Sequence, residues 1–351
     1  MILAGDIGGT KTVLALCDGD GGGAPRIVRE HSFPSADFPS LEAIVAKFVT
    51  GDDAKQLRAA CFGVAGPVVG GSAKITNLPW TITARVIGEQ LGAIPVTLLN
   101  DLQATALGTL VLPDAAFEVL QAGKSNAPRN DAGDRPTIAV LAPGTGLGEA
   151  WLVATGDAYR ALPTEGGHAD FAPSTDDELE LLRYLRARHG VHVSNERVLC
   201  GAGLVDLYGF TRQQSGAAEP AWLTEQLASH DRAAVVSQAA LDGRDPACAR
   251  ALEIFVDLLA AEASNMALRG LTTGGVVIGG GIPPKILPAL KTGRFVARFN
   301  AKGRFGDWTG ELAVRVALEP RAALLGAAHH ASTAHAASSA SVSGPAKDSR
   351  S

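Results

Sequence analysis

Residues 5–12 read Gly-Asp-Ile-Gly-Gly-Thr-Lys-Thr, GDIGGTKT, and their reading decides the fold. The stretch nearly satisfies the phosphate-loop pattern G-x-x-x-x-G-K-[ST], but Thr10 stands where the second glycine belongs. A loop of that kind opens a helix whose N-terminus meets the phosphates. Here Ile2-Leu3-Ala4 precedes the turn and the apolar run 12–17 follows it, which predicts strand, tight turn, strand. A plain hairpin turn is the bland interpretation of Gly8-Gly9. The functional one is a turn whose glycines let backbone amides and the Thr10 hydroxyl approach a phosphate, with Asp6 at the strand end acting through a bound Mg²⁺.

The same chemistry recurs at 142–150, APGTGLGEA, where Gly144, Thr145 and Gly146 form a second small turn between predicted strands at 138–141 and 150–154. One such turn says little. Two of them, each opening a strand-turn-strand pattern after a polar loop at 122–136, point to a repeated unit and a phosphate clamp. Helices fill the intervals: Leu41–Phe48 behind an N-cap at Ser40, 83–91 ending at Gly92, and a long one from Asp245-Pro246 to Gly270. Strands are expected at Ala59–Val64, 96–99, Val276–Ile278 and 314–318, with a last helix from Pro320. Strands alternating with helices make an α/β protein with two sheets.

Composition sets the outer bounds. The chain has 351 residues, 46% hydrophobic and 19% charged, which is long for one core and implies two domains. A net charge of −5 without a Lys/Arg cluster argues against a nucleic-acid partner. No apolar run approaches the ~20 residues that span a bilayer, and Met1 leads straight into a strand pattern without a secretory leader. Cys17, Cys61, Cys200 and Cys248 are scattered and form no C-x-x-C pair, as expected of buried thiols in a reducing, cytoplasmic setting.

Three further stretches carry polar groups suited to a ligand. LLND at 98–101 puts Asn100 and Asp101 at the carboxyl end of a buried strand, where open α/β sheets gather ligands. Capping of the next helix competes for the same oxygens. PTEGGHADF at 163–171 offers Glu165 and His168 at the i, i+3 spacing of helical metal ligands, but two central glycines, each costing roughly 1 kcal/mol, disfavour a helix. No cysteine or histidine cluster nearby completes a metal site. Glu196, in VSNERVLCG, reads by default as a solvated carboxylate.

Taken in order, these pieces resemble the sugar kinases of the hexokinase-type, actin-like ATPase superfamily. GDIGGTKT is similar to its first phosphate loop, GVAGPV (63–68) to a connecting loop, and TNLPW (76–80) to a sugar-side loop. LLND is similar to its catalytic-base strand, APGTGLG to its second phosphate loop, and GGVVIGGGI (274–282) to its adenosine loop. Within it, LPTEGGHADFAP, SNERVLCGAGLVDLY and KGRF (302–305) resemble bacterial glucokinases, and the absence of cysteine between Ala169 and Leu199 departs from the zinc-bearing branch that includes repressors.

The resemblance implies an α/β, two-domain actin-like ATPase (ribonuclease H-like) fold with an interdomain cleft. It implies a small domain from 1–109 plus 320–335, a large domain from 110–319, and a disordered tail at 336–351. It further implies phosphorylation of glucose at its 6-hydroxyl by ATP with Mg²⁺ and no structural zinc, by a cytoplasmic homodimer. Another hexose or an N-acetylhexosamine is the alternative substrate, and a non-catalytic sugar-responsive regulator the remaining one. By the same resemblance Asp101 is the general base, and Asn100, Asp101, Glu165, His168 and Glu196 bind sugar. Asp6, Gly8, Gly9, Thr10, Lys11, Gly144, Thr145, Gly146, Gly279, Gly280 and Gly281 hold the nucleotide, Asp6 through water on Mg²⁺.

Overall fold

GDIGGTKT folds as strand, turn and strand. In a computed structural model of the chain, β1 (Ile2–Ile7) and β2 (Lys11–Asp18) pair antiparallel with Ile7 opposite Thr12. The structure describes all residues except 20–22, 76–77, 125–134, 157 and 343–351. Thr76 and Asn77 of the TNLPW stretch, and most of the 122–136 loop, therefore lie outside the described residues. The chain divides into two units, Met1–Asp114 with Glu319–Ser351, and Ala115–Leu318.

In the first unit β3 (Arg26–Pro34) pairs with β2, and β4 (Ala59–Val64) runs parallel to β1. Three short strands, β5 (Val68–Val69), β6 (Ser72–Lys74) and β7 (Thr81–Thr83), make a small sheet of their own. β8 (Val96–Asn100) then returns to the main sheet, whose order is β3-β2-β1-β4-β8. β4 is buried along its whole length, as befits a parallel strand covered on both faces. Leu3, Leu14, Phe62 and Ile87 lie in the core beneath.

The second unit repeats this plan. β9 (Phe117–Gln121) stands at one edge, and β10 (Ile138–Pro143), β11 (Leu147–Thr155) and β12 (Ala158–Thr164) form an antiparallel meander. β13 (Val276–Ile278) and β14 (Val314–Ala317) continue parallel to β10, giving the order β12-β11-β10-β13-β14-β9. The first five strands of that sheet retrace β3-β2-β1-β4-β8 in direction and order, so the expected repeat is one of topology. The helix Pro246–Gly270 crosses this unit's core with Phe255, Leu259 and Ala263 fully buried. Its start is as the sequence predicts: Asp245 Oδ1 accepts from the Cys248 amide at 2.9 Å and Pro246 occupies the first turn.

Several boundaries differ from expectation. The turn between β10 and β11 spans only residues 144–146, because Pro143 and Leu147 pair as the last rung of the ladder. The divide between units falls after Asp114 rather than at 109. The final helix runs Ala322–Val342, so residues 336–342 are helical rather than disordered, and 343–351 lie outside the described residues. The helix Asp176–His189 escapes a pattern search because its buried side is narrow: Glu178, Leu181 and Leu185 among charged neighbours.

One contact in the first unit fixes the helix Asp101–Thr109 against the C-terminal helix. A methyl at Gly326 would lie 1.8 Å from the Ala104 carbonyl oxygen, and one at Gly108 would lie 1.9 Å from that of Ala322. The two helices meet backbone to backbone, and no larger residue fits. Gly326→Ala is expected to lower stability by about 1–3 kcal/mol through overpacking. Gly51→Ala, where a methyl meets nothing within 4 Å, should stay within about 0.5 kcal/mol of the parent. Urea unfolding of the two variants checks the difference.

Candidate active site

The first unit holds two carboxylates beside its glycine turn. Asp6 sits late in β1, opposite Gly63 of the buried β4, while Asp101 opens the helix that follows β8. Gly63 makes this arrangement possible: a methyl there would strike Ala104 Cβ at 2.8 Å and come within 3.8 Å of Asp101 Cα. Burial, and then the nearby Asp101 charge, push the Asp6 carboxyl up to about 6, against the opposing effect of Lys11. A buried carboxylate raised by a second carboxylate is a group that a cation stabilises. Mg²⁺ is commonly held by one or two carboxylates together with substrate phosphates, so Asp6 fits that ion. Among the described residues no cluster of three His, Cys, Asp or Glu is arranged to hold a metal.

Asn100 and Asp101 both cap their helix. Asn100 Oδ1 and Asp101 Oδ1 each accept from the Leu102 amide, at 2.9 and 2.8 Å, and Gln103 Oε1 accepts from the Asn100 amide at 3.1 Å. Asn100 Nδ2 also donates to the Gly66 carbonyl at 3.3 Å. Capping therefore coexists with the proposed chemistry and holds both side chains at the strand end. The Gly8-Gly9 turn closes with Gly8 N–H donating to the Lys11 carbonyl at 2.9 Å. Ser35, unmarked in the sequence, braces it: its hydroxyl donates to the Gly8 carbonyl at 2.8 Å and meets the buried Thr12 hydroxyl at 3.0 Å. Thr10 and Lys11 are left exposed at the tip.

The second unit joins its glycine turn to the polar stretches. Gly144 N–H donates to the Gly146 carbonyl at 2.8 Å, and the Gly144 carbonyl accepts from Gly201, the first residue of the helix Gly201–Ser215, at 2.9 Å. Gly279 N–H donates to the Leu141 carbonyl at 2.7 Å, which lays the 279–281 glycines along the turn. Gly280 has φ +83°, and a side chain there would meet the Pro143 carbonyl at 2.5 Å. A cavity of about 710 Å³ opens beside these elements, lined by Gly144, Thr145, Gly201, Gly281, Ser237 and Lys285 among others. Ser237 and Lys285 carry no sequence signal, since neither lies in a recognisable motif.

Residues 165–168 pass over the end of β12 and make a single tight turn, Gly166–His168, rather than an α-helix. Glu196 projects from a similar turn, Asn195–Arg197, which is tied back by the Asn195 amide donating to the Ala169 carbonyl at 2.9 Å. His168 stands 3.9 Å from Glu165 through Nε2 and 3.9 Å from Glu196 through Nδ1, beyond hydrogen-bonding distance of either. Glu165 and His168 are 77% and 60% exposed, so their polar atoms are available to a ligand. Glu196 is not the solvated carboxylate of its default interpretation: its Oε2 accepts from the Leu147 amide at 2.9 Å, at the foot of the 144–146 turn. Lys302 of the KGRF stretch donates to Asn265 Oδ1 at 2.6 Å. The four cysteines are buried and unbonded.

A protein-family model described as Glucokinase matches residues 3–334. The chain belongs to the glucokinase family. The glucokinase of Nostoc punctiforme is 38% identical over 340 residues, covering 93% of this chain and 98% of its own. The crystal structure of a glucokinase from an Antarctic psychrotroph superposes with a TM-score of 0.81 at 33% identity, over 94% of this chain and 98% of that one. A ROK family glucokinase from Streptomyces griseus, solved in complex with glucose and AMPPNP, shares the fold at TM-score 0.60 and 21% identity, over 94% and 98% of the two chains. The fold is the actin-like ATPase fold, and glucokinase is the activity the relatives carry.

Gly146 is coupled directly to Glu196, since a methyl there would lie 2.4 Å from Glu196 Oε2. Gly146→Ala is expected to expel Glu196 from the Leu147 amide and raise the glucose KM by about tenfold or more, the equivalent of one charge-assisted hydrogen bond. Steady-state kinetics on the variant, with its melting temperature measured alongside, check this outcome.

Proposed function

We propose that the protein transfers the γ-phosphoryl group of ATP to the 6-hydroxyl of glucose, with Asp101 as general base. The observation that carries the sugar half of this reading is the placement of His168 within 3.9 Å of both Glu165 and Glu196 without a hydrogen bond to either. Three polar side chains held together with no hydrogen bond among them, Glu196 being committed only in part, to the Leu147 amide, suit a ligand rich in hydroxyls, each of which donates one bond and accepts others. The Streptomyces griseus protein of the same fold was solved with glucose and AMPPNP, which supports the same pair of ligands here.

The division of labour follows from position. In the first unit, Asp101 accepts the proton of the attacking hydroxyl, late in a loose transition state, and Asn100 beside it bonds a neighbouring sugar hydroxyl. The Gly8-Gly9-Thr10 turn presents amides and a hydroxyl to phosphate oxygens, with the Lys11 ammonium next to them. Asp6 would hold Mg²⁺ through water, the ion neutralising charge on the phosphates. In the second unit, Gly144, Thr145 and Gly146 offer a matching phosphate turn, and Gly279, Gly280 and Gly281 let the nucleoside approach the backbone in the adjacent cavity. Glu165, His168 and Glu196 orient the sugar, and their stranded polar atoms would penalise an analogue lacking a hydroxyl.

Asp101→Asn keeps the helix cap and removes the base. Turnover is expected to fall by about 10²–10⁴-fold while glucose binding, followed by calorimetry, persists; undiminished turnover would remove Asp101 from the base role. Glu165→Ala should act on affinity instead, raising the glucose KM by about tenfold for one lost hydrogen bond to a charged group with little change in the KM for ATP. A coupled assay crossing glucose, mannose, fructose and N-acetylglucosamine with ATP and polyphosphate tests the choice of substrates.

A further inference from the structure

Glu149 follows the phosphate turn on β11 and belongs to none of the groups above. It is 1% exposed, and its Oε1 has no hydrogen-bond partner. Its other oxygen lies directly beneath the sugar turn: a methyl at Gly166 would stand 2.1 Å from Glu149 Oε2. The backbone at the same point is stitched to that turn, because Glu149 pairs with Thr164 across β11 and β12. Thr164 Oγ1 donates to the Glu149 carbonyl at 3.2 Å and accepts from the Gly166 amide at 3.0 Å. Gly167 continues the contact, since a methyl there would meet the Leu147 carbonyl oxygen at 2.2 Å. The turn bearing Glu165 and His168 thus rests on Glu149 as on a floor.

We propose that Glu149 is a positioning residue for glucose: its buried carboxyl sets the height of the 165–168 turn and so the placement of Glu165 and His168. The inference rests on the reading of those two residues as sugar ligands.

A carboxyl in this place works in its neutral form. Burial first, and the charge of Glu262 second, push Glu149 up to about 8, against the attraction of Arg269. Glu262 and Arg269 face it from the helix Pro246–Gly270, where they pair with each other at 2.7 Å. Lys302 approaches the same helix through Asn265. Below about pH 8 the acid is protonated and packs under Gly166. Above that pH it ionises with one oxygen unpartnered, and a buried unpartnered charge is relieved most directly by lifting the turn to admit water. Glucose affinity should therefore weaken on the alkaline side, while the phosphate turns and Asp101 are untouched.

The test compares the full-length protein with Glu149→Gln, which keeps the shape and a neutral polar group, and with Glu165→Ala, each assayed from pH 6.5 to 9.5. The wild-type glucose KM is expected to rise above about pH 8, approaching tenfold per pH unit, with the KM for ATP flat. Glu149→Gln should match wild type at pH 7 and stay level to pH 9.5. Superimposable curves for the two proteins, or a loss in kcat with no change in KM, overturn the proposal. Glu165→Ala separates the two readings: if it leaves the glucose KM unchanged, the sugar turn itself is misassigned and the inference falls with it. If it raises KM while Glu149→Gln keeps the wild-type pH profile, only the role of Glu149 falls. Should the glutamine variant fail to fold, amide hydrogen exchange of residues 165–169 in wild type at pH 7 and pH 9 decides. Protection factors that drop at pH 9 support the proposal, and equal ones overturn it.

Discussion

The second unit is tied together at one residue, Leu147. Its amide is held by Glu196, and its carbonyl is pressed by Gly167, so the Glu196 carboxylate and the 165–168 turn grip the same residue at the end of the 144–146 turn. Three glycines make that possible. Gly146 yields its side-chain space to the Glu196 carboxylate, Gly167 to the Leu147 oxygen, and Gly166 to Glu149. The glycines of GTGLG and EGGH are thus not a flexible hinge. Gly146, Gly166 and Gly167 are the places where segments that come close only after folding pack against a backbone bearing no Cβ.

The first unit solves a different problem, two carboxylates near each other in a partly dry place. Its device is the open position at Gly63, which lets the helix carrying Asp101 settle against β4. The neighbouring Asp101 charge helps raise Asp6 toward neutrality, and a divalent cation reverses that tendency. The matched strand orders of the two sheets then place one glycine hairpin between β1 and β2 and the other between β10 and β11. One architecture is used twice with unlike side chains: an acid pair beside one turn, and the Glu196 carboxylate on the backbone of the other.

What could be read directly from the sequence was whatever is local. The hairpin at GDIGGTKT follows from apolar runs on both sides of two glycines, and the long helix from Asp245-Pro246 at one end and Gly270 at the other. Strands β9 and β12 were not legible, because their exposed and buried positions do not form a clean alternation. Asn100 and Asp101 were legible as candidates but not as caps or ligands, since the same oxygens serve both. Ser35, Glu149, Ser237 and Lys285 were invisible for a common reason. Ser35 and Glu149 matter through partners far away in the chain, Ser237 and Lys285 through the cavity they line, and no spacing rule encodes either. Glu196 was the misleading case: a lone charged residue in a loop gives no hint of a backbone amide 49 positions away that will claim it.

The helix crossing at Gly108 and Gly326 has a consequence for the order of events during synthesis. About two hundred residues, the whole of the second unit, are made between the two halves of that contact. At the usual rate of about 5–20 residues per second this amounts to roughly 10–40 s. Through that interval the Asp101 helix has one face without its cover, while the second unit, continuous in sequence, can complete its own core. Asp101 acquires its final setting only once the helix Ala322–Val342 has left the ribosome. A nascent chain therefore completes the cavity beside Gly144 and Gly281 well before it completes the cover of the Asp101 helix.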